Sequence, residues 1–144
     1  MFRMTADGFE VFLVHPGGPF WAGKDADAWT VPKGEFGSDE EPLTAAQREF
    51  IEETGFIPQG PFLELGSVAQ KSGKVVLAWA FAGNCNPQDL RSNTCEIEWP
   101  PRSKRFMTIP EVNRGEWFTP SAARTYLRAA QHLFLSRLED HLRK

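Results

Sequence analysis

Apolar side chains open the chain in two runs, FRMT and FEVFLVH, on either side of the turn signal Ala6-Asp7-Gly8, and the pattern predicts a strand or hairpin there. His15 to Ala28, HPGGPFWAGKDADA, has the Gly, Pro and Asp content of a surface loop, and WTVPKGEF follows as a short strand broken at Pro32. Between Ser38 and Phe56 the period becomes helical. At 100° per residue Leu43, Ala46 and Phe50 fall within an arc of about 60°, while Glu49, Glu52 and Glu53 occupy the adjacent arc. Pro42 suits the first turn of that helix and Gly55 its stop.

PFLELGSVAQ and VVLAWAFAGN flank Lys71-Ser72-Gly73-Lys74 as a second hairpin, and the latter strand is apolar enough to be central. Asn84 to Arg114 reads as a long irregular segment carrying Arg102, Lys104 and Arg105, the kind of loop that is functional or mobile in a compact domain. EWF is a last short strand. Thr119-Pro120 starts a long terminal helix with an apolar stripe of Ala123, Leu127, Ala130, Phe134 and Leu138. Hairpins mixed with two helices imply a single α/β domain over residues 1–144, a mixed sandwich.

Composition narrows the partners. A formal charge of −3 gives no broad basic surface, so no stable nucleic-acid complex is expected and a polyanionic ligand needs local cations. Cys85 and Cys95 have neither metal spacing nor flanking His and read as reduced thiols. No apolar run is long enough to span a membrane and the N-terminus lacks signal-peptide character, so a cytoplasmic location is expected.

The stretch REFIEETGF concentrates the chemistry. Gly55 closes the helix, which leaves Glu49, Glu52 and Glu53 in its last turns, where the dipole disfavours negative charge. Three glutamates on one face also repel one another and raise one another's pKa. A divalent cation removes both conflicts, and a donor set of hard oxygens suits Mg²⁺, with Mn²⁺ as substitute. Magnesium held this way bridges to phosphates, so a di- or polyphosphate is the expected ligand. For REFIEE in isolation, a solvated acidic face paired with Arg is the blander alternative.

The wider spacing decides between them. From Gly34 there are five residues, then Glu40, seven more, then Arg48-Glu49-Phe50-Ile51-Glu52-Glu53-Thr54-Gly55-Phe56. This resembles the signature box of the Nudix hydrolases, with Phe in both apolar slots where Ile, Leu or Val is usual. Such a match arises by chance at a given position less than about once in 10⁸. The resemblance implies an α/β/α sandwich with a mixed sheet and a long C-terminal helix. It also implies Glu49, Glu52 and Glu53 as metal ligands, joined by the Gly34 carbonyl, with Arg48 orienting the carboxylates and Glu40 supporting the box. The implied reaction is attack of water at a phosphorus of a nucleoside diphosphate linked to a second group. The general base varies in the family, so Glu53, Glu96 and Glu98 are all candidates.

Trp29-Thr30-Val31-Pro32-Lys33-Gly34 is similar to the lead-in of Nudix enzymes that cleave diadenosine polyphosphates or diphosphoinositol polyphosphates. That makes Trp29 and Lys33 candidate substrate residues, with Lys71, Trp99 and Arg102, beside Lys74, Lys104 and Arg105, as a further cationic and aromatic rim. The expectation is a Mg²⁺-dependent pyrophosphohydrolase of nucleoside polyphosphates, dinucleoside polyphosphates first. The alternatives are a hydrolase of damaged triphosphates such as 8-oxo-dGTP and a non-catalytic nucleotide-binding module.

Overall fold

A computed structural model describes residues 1–33 and 39–143. Its first strands, β1 (Phe2–Thr5) and β2 (Gly8–Pro16), form the expected antiparallel hairpin. On its other edge β2 pairs antiparallel with β7 (Val112–Phe118). Parallel hydrogen bonds from Phe2 N to the Phe81 carbonyl and from Gly83 N to the Phe2 carbonyl bring the chain that follows β4 (Val75–Ala80) against β1, so the strand layer is mixed. β3 (Leu63–Ala69) and β4 make the second expected hairpin.

Every residue of β2 from Val11 to His15 is buried, because both of its faces are covered. Val11 and Leu13 point into a core with Phe118, Ala123, Leu127, Phe134 and Leu138, the side of the terminal helices. Phe12 and Val14 point the other way, toward Val112, Phe56, Leu90 and Trp117. On that side lies α1 (Pro42–Thr54), and its Phe50 ring meets Phe81 edge-on at 5.1 Å. Two periodicities, two for the strand and 3.6 for the helices, thus build the α/β/α sandwich. The Phe residues in the box fill core positions as aliphatic residues would: Phe50 is buried and Phe56 meets Phe12 at 6.1 Å.

Four expectations change. The described part of WTVPKGEF forms no strand, only isolated bridges of Thr30 with Val14 and of Trp29 with Leu127. The segment 84–114 is largely ordered, with a short 3-10 turn at Pro87–Asp89 and a hairpin of β5 (Thr94–Glu98) and β6 (Phe106–Pro110). β4 is half-buried over most of its length instead of deeply central. The terminal helix is divided into α2 (Pro120–Tyr126) and α3 (His132–Leu142), because Leu127 turns extended (φ −71°, ψ 138°) and the chain pairs with Trp29.

Candidate metal and phosphate site

α1 starts later than Ser38 because Glu41 caps it, its carboxylate accepting from the backbone N–H groups of Leu43 and Thr44, with Pro42 in the first turn. It stops where the sequence requires: Gly55 takes the left-handed conformation (φ 78°) and donates to the Ile51 carbonyl. The three box glutamates therefore stand on the last two turns.

Arg48 is the hub of the acidic face. Its Nε and Nη2 form a fork on the Glu40 carboxylate at 2.8 Å each, and Nη1 reaches Glu49 at 3.0 Å and both Glu52 oxygens at 3.2 Å. The planar guanidinium grips Glu40 with two parallel donors while a third side of it serves Glu49 and Glu52; an ammonium has no such fork. Glu53 stands apart: its Oε2 accepts from the Lys33 backbone N–H at 2.5 Å, which ties the lead-in segment to the helix end.

Burial and mutual charge act on these groups as the crowding of carboxylates requires. Burial is the main cause that pushes Glu53 up to about 8, only partly opposed by the Lys33 N–H and its charge, and Glu49 and Glu111 raise it further. Glu49, also buried, is raised by desolvation first, against the pull of Arg48. Arg48 is raised in turn by its bonds to Glu40.

Glu111 is the residue that the sequence pattern did not single out. It acts on both Glu49 and Glu53 from just beyond the end of β6, far along the chain from the box. The end of α1 recruits it through backbone hydrogen bonds. The Arg91 N–H donates to the Thr54 carbonyl and the Asn93 N–H to the Glu52 carbonyl, satisfying two open groups of the helix end. The Asn93 carbonyl then accepts from Glu111 N at 2.8 Å, and Ser92 Oγ accepts from Val112 N at 2.9 Å. No local motif around Pro110-Glu111 announces this.

Other candidates are placed elsewhere. Trp29 is 1% exposed, packed on Phe118 and His15 and donating Nε1–H to Asp25, so it is core and cannot stack on a substrate. The Glu98 carboxylate accepts from Arg102 N and Lys104 N, closing the turn of its own hairpin. With Trp99 and Arg102 it sits at the far end of β6 from Glu111, five residues or about 17 Å of strand away. Glu96 lies on β5 opposite Thr108. Lys71 is exposed in the β3–β4 turn, and Gly34 lies outside the described residues. Cys85 and Cys95 are free thiols.

Among the described residues no three acidic, His or Cys side chains converge on one point as they stand, since Arg48 and the Lys33 N–H hold the box carboxylates apart. The chemistry of the set nevertheless fits a hard dication: all donors are carboxylate oxygens, and burial leaves their charge under-compensated. Against the inner face of α1 lies a cavity of about 110 Å³, walled by residues including Pro32, Leu43, Phe50, Phe62, Trp79 and Phe81. Among the described residues no helix is long and apolar enough to cross a membrane.

Comparison with known proteins bears on the family and the fold. The family model described as NUDIX domain matches residues 2–138. An uncharacterized 17.7 kDa protein of Enterobacteria phage T4 is 32% identical over 113 residues, 76% of this chain and 73% of the phage protein. Among solved structures, an Ap4A hydrolase of C. elegans in a binary complex superposes with a TM-score of 0.69 at 20% identity, covering 99% of this chain and 93% of that one. The NUDIX domain of Shewanella oneidensis NrtR, complexed with ADP ribose, gives 0.65 at 18% identity, over 98% and 82%.

Proposed function

Because this chain belongs to the NUDIX domain family, the family of the Nudix hydrolases, we propose that it is a Mg²⁺-dependent pyrophosphohydrolase of nucleoside polyphosphates, with dinucleoside polyphosphates as the favoured substrates. The observation that carries this reading is the group of carboxylates at the end of α1, with Glu49 and Glu53 raised by burial and mutual charge and Glu111 brought in from the end of β6. Glu49, Glu52 and Glu53 would hold the metal, with Mn²⁺ able to replace Mg²⁺. When bound, the ion supplies charge neutralisation on the phosphate oxygens and on the leaving group.

The chain's own groups do the rest. Arg48 keeps Glu49 and Glu52 oriented, and the Lys33 N–H fixes one oxygen of Glu53, leaving Oε1 for the ion. The Lys33 ammonium adds the positive charge that an acidic protein needs beside a phosphate chain. Glu111 acts on the box without belonging to it, and is the carboxylate that takes the proton of the attacking water. In that step the water oxygen bonds to phosphorus, the bridging P–O bond breaks, and the leaving phosphate carries away its electron pair. The likeness of the fold to an Ap4A hydrolase adds support for a dinucleotide.

Release of phosphate or nucleotide is to be measured with diadenosine tetraphosphate, ADP-ribose and 8-oxo-dGTP in Mg²⁺. The dinucleotide should give the highest kcat/KM; preference for the triphosphate would reverse the ordering. Glu52→Gln should abolish turnover with an unchanged circular dichroism spectrum, and Glu111→Gln should lower kcat by about 10²- to 10⁴-fold. Full activity in Glu52→Gln would mean that the ligand is misassigned.

A further inference from the structure

The loop between β2 and Trp29 carries a second concentration of aromatic and cationic groups. The Lys24 ammonium lies 3.6 Å from the centroid of the Phe20 ring, which is 53% exposed. The Arg128 guanidinium lies 4.5 Å from the Trp21 ring, and the Phe20 and Trp21 rings meet edge-on at 5.0 Å. The loop is anchored rather than loose: His15 Nε2 sits 2.5 Å from the Lys24 carbonyl oxygen, and Lys24 N donates to Trp21 O.

Arg128 is the odd member. Its Nε is buried without a hydrogen-bond partner, the single such side-chain atom among the described residues. Native structures partner nearly all buried donors, so the orphaned Nε–H of this half-buried side chain marks a guanidinium that lacks a protein acceptor. The π-face of Trp21 attracts the guanidinium charge but supplies no in-plane acceptor for Nε–H. The Asp25 carboxylate, on the same loop, is engaged by Trp29 Nε1 and by Arg114. An oxyanion of a phosphate has the charge and geometry for the Arg128 guanidinium, the Lys24 ammonium adds positive charge 5.6 Å from the same Trp21 ring, and the Phe20 face turned away from Lys24 is a platform for a base.

The position relates this cluster to the reaction site. Arg128 N donates to the Trp29 carbonyl, and Trp29 is four residues from Lys33, whose N–H holds Glu53. Four residues span at most about 14 Å of extended chain, so the backbone anchors of the two sites lie within that distance of each other. We propose that Phe20, Trp21, Lys24 and Arg128 bind a nucleoside phosphate, the end of the substrate that lies beyond the cleaved anhydride. The assignment rests on the hydrolase reading above and names the half of the substrate that the box does not.

Two measurements test it separately from that reading. Calorimetric titration of AMP into the protein in EDTA should show binding that Arg128→Gln weakens tenfold or more, and Trp21→Phe should remove the accompanying fluorescence change. Equal AMP affinity in wild type and Arg128→Gln overturns the site, whether or not the enzyme turns over. In kinetics, kcat/KM is compared for diadenosine tetraphosphate and adenosine tetraphosphate. Arg128→Gln and the exposed Phe20→Ala should lose at least tenfold more on the dinucleotide than on the mononucleotide, through KM. Equal losses on both substrates also overturn it. AMP binding that depends on Arg128 in a protein that cleaves neither compound would instead retain the site and remove the hydrolase reading.

Discussion

Glu53 is where charge and burial conflict most directly. In the folded chain its carboxyl holds a proton up to about pH 8, against 4.5 ordinarily, because burial penalises the anion. Between those values the native state binds more protons than the unfolded state, so without metal the stability falls as pH rises and levels off above 8. Thermal unfolding in EDTA should give a higher Tm at pH 5 than at pH 8, and Glu53→Gln should flatten that difference; an unchanged slope in the variant would show that Glu53 is not its source. The box residues were legible because each chemical role occupies a fixed spacing. Glu111 was not, since its place is set by Asn93 and the helix end. Trp29 misled for the opposite reason: its neighbours in sequence suggest phosphate chemistry, while the side chain is claimed by the core.

At the scale of elements, the function depends on how α1 ends. The left-handed Gly55 closes the helix, and the following chain returns at Arg91 and Asn93 to satisfy carbonyls of its last turn, carrying Glu111 with it. A Cβ at Gly55 would lie 3.1 Å from both Cβ and the carbonyl oxygen of Arg91, tighter than ordinary contact. Gly55→Ala should therefore cost about 1–2 kcal/mol for the left-handed backbone alone, and more as Arg91 shifts. Urea denaturation measures that cost, and kcat should fall in parallel because Glu111 moves with Arg91 and Asn93. A variant of wild-type stability would contradict the closure argument. The C-terminal end of α1 was readable from Gly55, whereas its start was moved from Ser38 to Pro42 by the Glu41 cap. The β5–β6 hairpin was not, because the prolines and cations of its turn outweigh the short alternation of TCEIE and FMTIP.

Across the whole molecule, the sandwich was legible because apolar periodicity survives where secondary structure does not. The stripe from Ala123 to Leu138 stays largely buried although the helix breaks at Leu127, since α2 and α3 each keep their phase against the sheet. The break itself is invisible to periodicity: it exists because Trp29 N donates to the Tyr126 carbonyl and Arg128 N to the Trp29 carbonyl. With α3 separated from α2, its hold on the sheet relies on its own contacts, and Arg137 supplies a polar one. Arg137 Nη1 donates to the Leu65 and Ser67 carbonyls at 2.8 Å each, across the β3 irregularity where Gly66 takes φ 77°. Bonds from a charged donor are worth about 1.5–3 kcal/mol when shielded, and partial exposure here favours the lower end. Arg137→Leu keeps much of the apolar stem and removes the donors, so it should destabilise by about 1.5 kcal/mol in urea. Because α3 lies on the layer opposite α1, kcat of the folded enzyme should stay at the wild-type value; a shift would mean that the two layers of the sandwich are coupled through β3.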